Sequence, residues 1–472
     1  MKHAEFSGRL VMLGFGSIGQ GVLPLILRHI DIPAERITIV TAETRGEEVA
    51  AEYGIRFILQ AATRENFVEL LSPLLAPGDF LLNLSVDVSS VELMKLCQKL
   101  DVLYLDTVVE PWAGGYTDTS LTPSQRSNYA MREAAIALRP DFVGGPTSIT
   151  AHGANPGLVS HFVKQALLNI ARDTGAPIAN PPPAADRTAW ARIASDLGVK
   201  VIHIAERDTQ VADRPKKPGE FVNTWSVDGF VGEGCQPAEL GWGSHESALP
   251  PDGHRHGFGC DAAIYLMRPG ASTRVRTWTP LEGPMHGFLI THNESISIAD
   301  YYTLRDDKGA VTYRPTAHYA YHPCDDAVLS VHELAGKNWE MQPEKRLMTD
   351  EITQGMDELG VLLMGHAKGA YWYGSRLTIE EARRVVPHNN ATSLQVTAAV
   401  LAGVIWAMEN PRQGLVESDE IDHARVLDIC APYLGDVVGE YSDWTPLQDR
   451  AVLFPEDIDT QDPWQFRNFR VT

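Results

Sequence analysis

The sequence predicts an α/β chain in two parts: a Rossmann-type doubly wound parallel sheet, then a second α+β domain with a mixed or antiparallel sheet. Three observations carry this expectation. Over the first 160 residues, short apolar runs alternate with helix-compatible stretches, the pattern of βαβ units. A glycine fingerprint follows the first of those runs. Beyond the break "ANPPPAAD" (179–186), strand-like runs follow one another without long helices between them. The expected division is 1–160 for the first domain and 161–377 for the second. Helices from about 378 to 472 are expected to pack back on the first.

Taken in order, "RLVML" (9–13), "RITIV" (36–40), "IRFIL" (55–59), "FLLNLSV" (80–86), "VLYLDT" (102–107) and "TSITAHG" (147–153) read as six parallel strands. "NPGLVSHFVKQALLNIA" (155–171) reads as a helix with Pro156 and Gly157 in its first turn. In the second domain "VKVIHIAE", "EFVNTWSV", "AAIYLM", "TRVRTWT" and "GFLITHNESISIADYYTL" read as strands. "ATSLQVTAAVLAGVIWAMENP" (391–411) reads as a long apolar helix ending at Asn410-Pro411.

At 472 residues the chain can build two substantial cores, and its formal net charge of −21 argues against nucleic acid and anionic membranes as partners. The same charge suits cationic partners. Cys97, Cys235, Cys260, Cys324 and Cys430 are dispersed, without CxxC pairing, which points to reduced thiols in a cytoplasmic setting. The start "MKHAEFSGRLVMLGFG" lacks a signal-peptide layout, and no run of about 18 apolar residues predicts a membrane span.

In "RLVMLGFGSIGQG", Gly14, Gly16 and Gly19 stand in GxGxxG spacing directly after a strand. Glycines there allow a tight turn, and the following helix offers free N–H groups to a pyrophosphate. A dinucleotide site follows. Pro24 lies inside that helix and should kink it or shift its hydrogen bonds. Thr41 stands where an acidic ribose ligand is usual, with Glu43 the nearest carboxylate; no arginine replaces the acid, although Arg45 is close, which favours NAD over NADP.

Carboxylates recur where strand patterns end: Asp87, Glu110, Glu206 and, after Trp225, Glu233. Ligands of doubly wound sheets gather at the carboxyl ends of strands, so Asp87 and Glu110 should face the nicotinamide crevice. Asn155 fits either a ligand contact or a helix cap. Trp225 fits either a half-buried strand-end indole or a flat face for a cation. His292, flanked by polar residues, is read as functional. "DGHRHGFGC" (252–260) is read as a glycine-rich surface loop and not as a metal site, since His254, His256 and Cys260 match no closed tetrahedral spacing.

"GFGSIGQG", "NLSVDVSS", "LDTVVEPW", "GANPG", "HIAERDTQ", "FVNTWSVDGF", "QPAELGWG", "THNESISIAD", "HYAYHPCDDAVLS" and "DPWQFRN" together resemble the bacterial homospermidine synthases, in order and over the whole chain. The wider relatives are the saccharopine and carboxynorspermidine dehydrogenases. The resemblance implies condensation of two putrescines to homospermidine and ammonia, with NAD as a recycled hydride carrier and a homodimer as the working form. Spermidine is a further candidate donor. It implies that Gly14, Gly16, Ser17, Ile18 and Gly19 hold NAD, helped by residues at Thr41, Asn83, Leu84, Thr107 and Asn155. Asp87, Glu110, Glu206 and Glu233 would face the diamine, with Trp225, Asn155 and His292 lining the same pocket.

Putrescine is a dication at neutral pH, so its pocket needs carboxylates, while hydride transfer needs one nitrogen as a free amine. A base is therefore required; His292 is the first candidate and Glu206 the second. Two other readings stay open: a dehydrogenase reductively joining an amine to an oxo acid, and a non-catalytic NAD-binding sensor.

Overall fold

A computed structural model describes residues 2–472. The first domain is built on a sheet of seven parallel strands. Six are β1 (Leu10–Leu13), β2 (Ile37–Thr41), β3 (Arg56–Leu59), β4 (Phe80–Asn83), β5 (Leu103–Asp106) and β6 (Ser148–Thr150); the seventh is Leu415–Glu417 from far along the chain. Their spatial order is Leu415–Glu417, β6, β5, β4, β1, β2, β3, every pairing parallel. Strand order reverses at β1, which opens a crevice at the carboxyl ends of β1 and β4. The Rossmann expectation holds, with one strand that local pattern could not place.

Helix α1 (Ser17–His29) follows β1 and runs through Pro24, which is buried. Helix α2 (Leu158–Asp173) starts three residues later than its sequence suggested, because a cis Asn155-Pro156 bond and Gly157 at φ 129° occupy the turn before it. Asn155 is thus outside the helix, and its capping reading fails.

The second domain centres on a mixed sheet. Its middle is β7 (Val201–Asp208), parallel to β8 (Thr316–His322) on one side and antiparallel to β9 (Met356–His366) on the other; β10 (Gly369–Thr378) lies beyond β9. Short helices interrupt the strand pattern: α3 (Val227–Cys235) and α4 (Asn293–Tyr301). The second corrects the reading of "GFLITHNESISIADYYTL" as one strand, which ends at Phe288. Eight of the nine α4 residues are buried, so no polar face marks its period, and Ile296 and Ile298 mimic strand alternation.

Helix α5 (Ala391–Glu409) packs on α1 and also touches β5, β9 and β10, tying the two sheets together. It is long and apolar enough to cross a membrane, yet 89% of that window is buried inside the protein, as for a core helix. Beyond it the chain returns to the first domain only in part: Leu415–Glu417 joins the first sheet, whereas two later strands join the second. Asp436–Ser442 pairs with β10 and Arg470–Val471 with Arg274–Thr279, both in the second sheet.

Candidate active site

The glycine turn meets the geometry a dinucleotide needs. Gly14 has φ 87°, and a Cβ there would stand 2.6 Å from the Ser85 amide, so only glycine lets β1 close on the end of β4. Over Gly16 there is open space, with nothing within 4 Å of an added Cβ. No side chain caps α1 and its first turn carries no acid, so the N–H groups of Ser17, Ile18 and Gly19 are left for an anion. Thr41 is buried at the tip of β2, where its hydroxyl accepts from the Glu43 amide at 3.4 Å. Asn83 is held inside: its Nδ2 donates to Tyr104 Oη at 3.2 Å and its Oδ1 accepts from Ser85. Leu84 and Thr107 stand half-buried at the same sheet edge.

On β7 the alternation of the strand is what makes the second half of the site. Ile202 and Ile204 face the core, and two further steps along the same face bring Glu206 and then Asp208. Register adds their neighbours: Tyr321 of β8 and Leu359 of β9 lie opposite Glu206, and Asp357 opposite Asp208. Tyr319 stacks on Tyr321 at 5.0 Å. Three buried carboxyls and two phenols thus share one patch.

Glu206 Oε2 accepts from Tyr319 Oη and from Asn155 Nδ2 at 3.0 Å, joining the two domains across the crevice. Burial pushes its carboxyl up to about 8, with Asp208 adding to the rise. Burial also holds Asp357 well above the usual carboxylate range, helped by Glu206 and Asp208. Asp208 is raised by burial too, and accepts from Thr224 Oγ1 at 2.7 Å and the Gln210 amide at 2.8 Å.

Further out stand Glu233, from α3, and His292, preceding α4. His292 Nε2 lies 2.9 Å from Glu233 and Nδ1 lies 3.2 Å from Glu294. Burial alone would lower the imidazole, but the two carboxylates overcome it and hold His292 protonated well above its ordinary range. An imidazole raised in this way between two carboxylates is poorly placed to take a further proton.

Glu110 is buried after β5, its Oε2 accepting from the Asp87 amide at 3.3 Å and its carboxyl pushed up to about 8 by burial, with Glu233 and Asp87 adding repulsion. Tyr116 hydrogen-bonds to it. Asp87 itself is exposed, at φ 63°, and partial burial with nearby Asp228 raises its carboxyl. Asp228 is paired with Lys345. The acids therefore form a row from Asp87 at the surface, through Glu110 and Glu233, to Glu206, Asp208 and Asp357 in the interior.

Trp225 lies along this row. Its Nε1 donates to Tyr321 Oη at 3.1 Å and its ring packs on Phe230 at 5.4 Å, continuing the aromatic wall of Tyr321, Tyr319 and His292. Arg207, next to Glu206 in sequence, is instead engaged by Glu282 and Asp325. Most of "DGHRHGFGC" lies at the surface as expected, but His256 turns inward: it is buried, 3.2 Å from Glu239 and stacked on Tyr129 at 3.9 Å.

Sequence reasoning missed Tyr116, Tyr319, Tyr321, Asp208, Glu294 and Asp357. Asp208 was legible, two residues beyond Glu206 on the same strand face, and Glu294 and Tyr116 lie close in sequence to His292 and Glu110; Tyr319, Tyr321 and Asp357 depend on register between strands distant in sequence.

Two family models cover most of the chain: the saccharopine dehydrogenase NADP binding domain over residues 10–149 and the saccharopine dehydrogenase C-terminal domain over 153–442. A homospermidine synthase of Blastochloris viridis is 56% identical over 99% of this chain and 98% of its own length. One from Mesorhizobium japonicum is 54% identical over 99% and 97%. The chain belongs to the homospermidine synthase family. Among solved structures, the Legionella pneumophila homospermidine synthase, in complex with NAD, matches with TM-score 0.92 at 50% identity, covering 99% of this chain and 98% of that one. In this chain the first domain reaches the second domain's acid row through the hydrogen bond from Asn155 to Glu206.

Proposed function

We propose that this homospermidine synthase joins two putrescines into sym-homospermidine with loss of ammonia, in a site where Asp87, Glu110, Glu233 and Glu206 receive the diamine. The observation that carries the reading is the row of carboxylates beside an aromatic wall, abutting a dinucleotide turn. A dication entering it exchanges hydration for charge-assisted hydrogen bonds. Raised carboxyls such as Glu110 and Glu206 are relieved by an incoming ammonium, so the row draws the ligand inward.

NAD fits the first domain through the uncapped N–H groups of Ser17, Ile18 and Gly19 and the open space over Gly16, and when bound it supplies a hydride acceptor that later returns the same hydride. Thr41, Asn83, Leu84, Thr107 and Asn155 flank the path it would take. Glu206 acts as the base. Its Oε2 is fixed by Tyr319 and Asn155, which leaves Oε1 to take a proton from the reacting ammonium. His292 keeps its protons and positions Glu233, which holds the distal ammonium. Trp225 lies against the diamine and, with Tyr319 and Tyr321, excludes water from the imine.

In atoms, one putrescine loses hydride and a proton to give an imine. The amine of a second putrescine adds to that carbon, ammonia departs, and hydride return saturates the new bond. The redox balance is zero. An oxo-acid dehydrogenase would need guanidinium groups where this site has acids, and the arginine next to Glu206 is occupied elsewhere. The enzyme works as a homodimer.

The test incubates protein with putrescine and substoichiometric NAD⁺, measuring homospermidine, ammonium and NADH absorbance. Many turnovers without lasting NADH are expected. Accumulating NADH would mark an ordinary dehydrogenase instead, and silence a sensor.

A further inference from the structure

Between β5 and the helix Asn128–Ile136 the chain leaves the first domain and touches the second at two points. Its near end is hinged. Gly114 has φ 83°, a conformation that favours glycine, and a Cβ on Gly115 would stand 2.6 Å from the Pro111 side chain. Its far end is pinned: Ser124 Oγ lies 2.8 Å from His256 Nδ1, and that imidazole lies 3.2 Å from buried Glu239 of the second domain. Between hinge and pin, residues 117–122 are exposed. The Thr117, Leu121 and Arg126 amides donate to the Gly114, Asp118 and Thr122 carbonyls, bonds that run within the loop and not to either sheet. A segment held in this way opens with the loss of few contacts.

Tyr116, half-buried near the hinge, turns towards the acid row. Its hydroxyl hydrogen-bonds to Glu110, and Glu233 and Asp87 lie close enough to repel its ionised form. Its ring rests on α3 at Gly232, where an added Cβ would meet ring carbons at 3.6 and 3.8 Å. The phenol therefore touches acids of the first domain and a helix of the second. A neutral phenol suits this place, because it donates to a carboxylate while its oxygen can accept from an arriving ammonium.

We propose that residues 113–126 form a strap that lifts to admit the diamine and closes over it, with Tyr116 sealing the closed site against water. This rests on the putrescine reading of the acid row. A site left open has a defined fault: water adds to the imine carbon, ammonia departs, aminobutyraldehyde escapes, and the hydride stays on NADH. Tyr116→Ala should therefore raise NADH and aminobutyraldehyde formed per homospermidine by at least about tenfold. Tyr116→Phe keeps the ring on Gly232 and should bring that ratio back. Deuterium uptake over 113–126, read by mass spectrometry, should slow when putrescine binds together with NADH, a pair that cannot react. Ser124→Ala should speed uptake in the free protein. A Tyr116→Ala protein that keeps the wild-type ratio, or forms neither product, overturns the seal. Uptake that putrescine leaves unchanged overturns the strap while the putrescine reading stands. A wild type that makes no homospermidine overturns that reading and the seal with it.

Discussion

Replacing Glu206 by Gln should stabilise the resting protein while stopping turnover. A carboxyl that titrates near 8 in the fold and near 4.5 in the unfolded chain costs the folded protein about 3 kcal/mol at pH 7, at about 1.4 kcal/mol per decade of proton affinity. Glutamine removes that cost and keeps an oxygen to accept from Tyr319 and Asn155. Allowing roughly 1 kcal/mol for a poorer hydrogen-bond fit, the variant should be more stable by about 2 kcal/mol at pH 7. The sign with pH is fixed. Because the folded value is raised, the penalty is absent below the unfolded value, grows between about 4.5 and 8, and is complete above. Urea titrations at several pH values should show Glu206→Gln slightly less stable than wild type near pH 4, crossing it at roughly pH 5 and increasingly more stable towards pH 8. Saturating putrescine should stabilise the wild type more than the variant. A variant equally stable or less stable at pH 8, or a gap independent of pH, would refute the argument that burial of this acid is what tunes it.

Three further outcomes follow from the same geometry. kcat/KM should rise with pH through about 8 as Glu206 deprotonates, and the limb in kcat should lie lower, because a bound ammonium favours the carboxylate; steady-state pH profiles read both. Trp225→Ala should raise KM for putrescine by about 2- to 30-fold, the range of a cation–π contact, while thermal unfolding moves little, since the indole is only half-buried. Gly16→Ala should fold normally, because its φ of −72° suits alanine and nothing lies within 4 Å of the new methyl, yet NAD affinity measured by calorimetry should fall at least about tenfold as the methyl fills the space over the helix N-terminus.

Much of this protein was legible in one dimension where the physics is local. A parallel sheet buried on both faces makes its inner strands continuous apolar runs, so β1, β4 and β5 announced themselves, and a turn with φ 87° beside a neighbouring amide selects glycine whatever surrounds it. Glu206 was visible as an acid following an apolar strand run; the strand in fact continues to Asp208, and its alternation is what sets Glu206 on the core face. Helix α4 misled for the opposite reason: buried all round, it shows no polar stripe.

Composition, spacing and motif order thus determined six of the first domain's seven strands, the dinucleotide turn and four of the acids, Asp87, Glu110, Glu206 and Glu233. Only the tertiary structure decided what those acids do. Asp357 and Tyr321 meet Glu206 through register, and register depends on strand pairs more than a hundred residues apart in the chain. His292 is held above its ordinary range because Glu233 and Glu294 flank it at hydrogen-bond distance. Ionisation depends on burial and on neighbours a few ångströms away, and those distances exist only once the chain has folded.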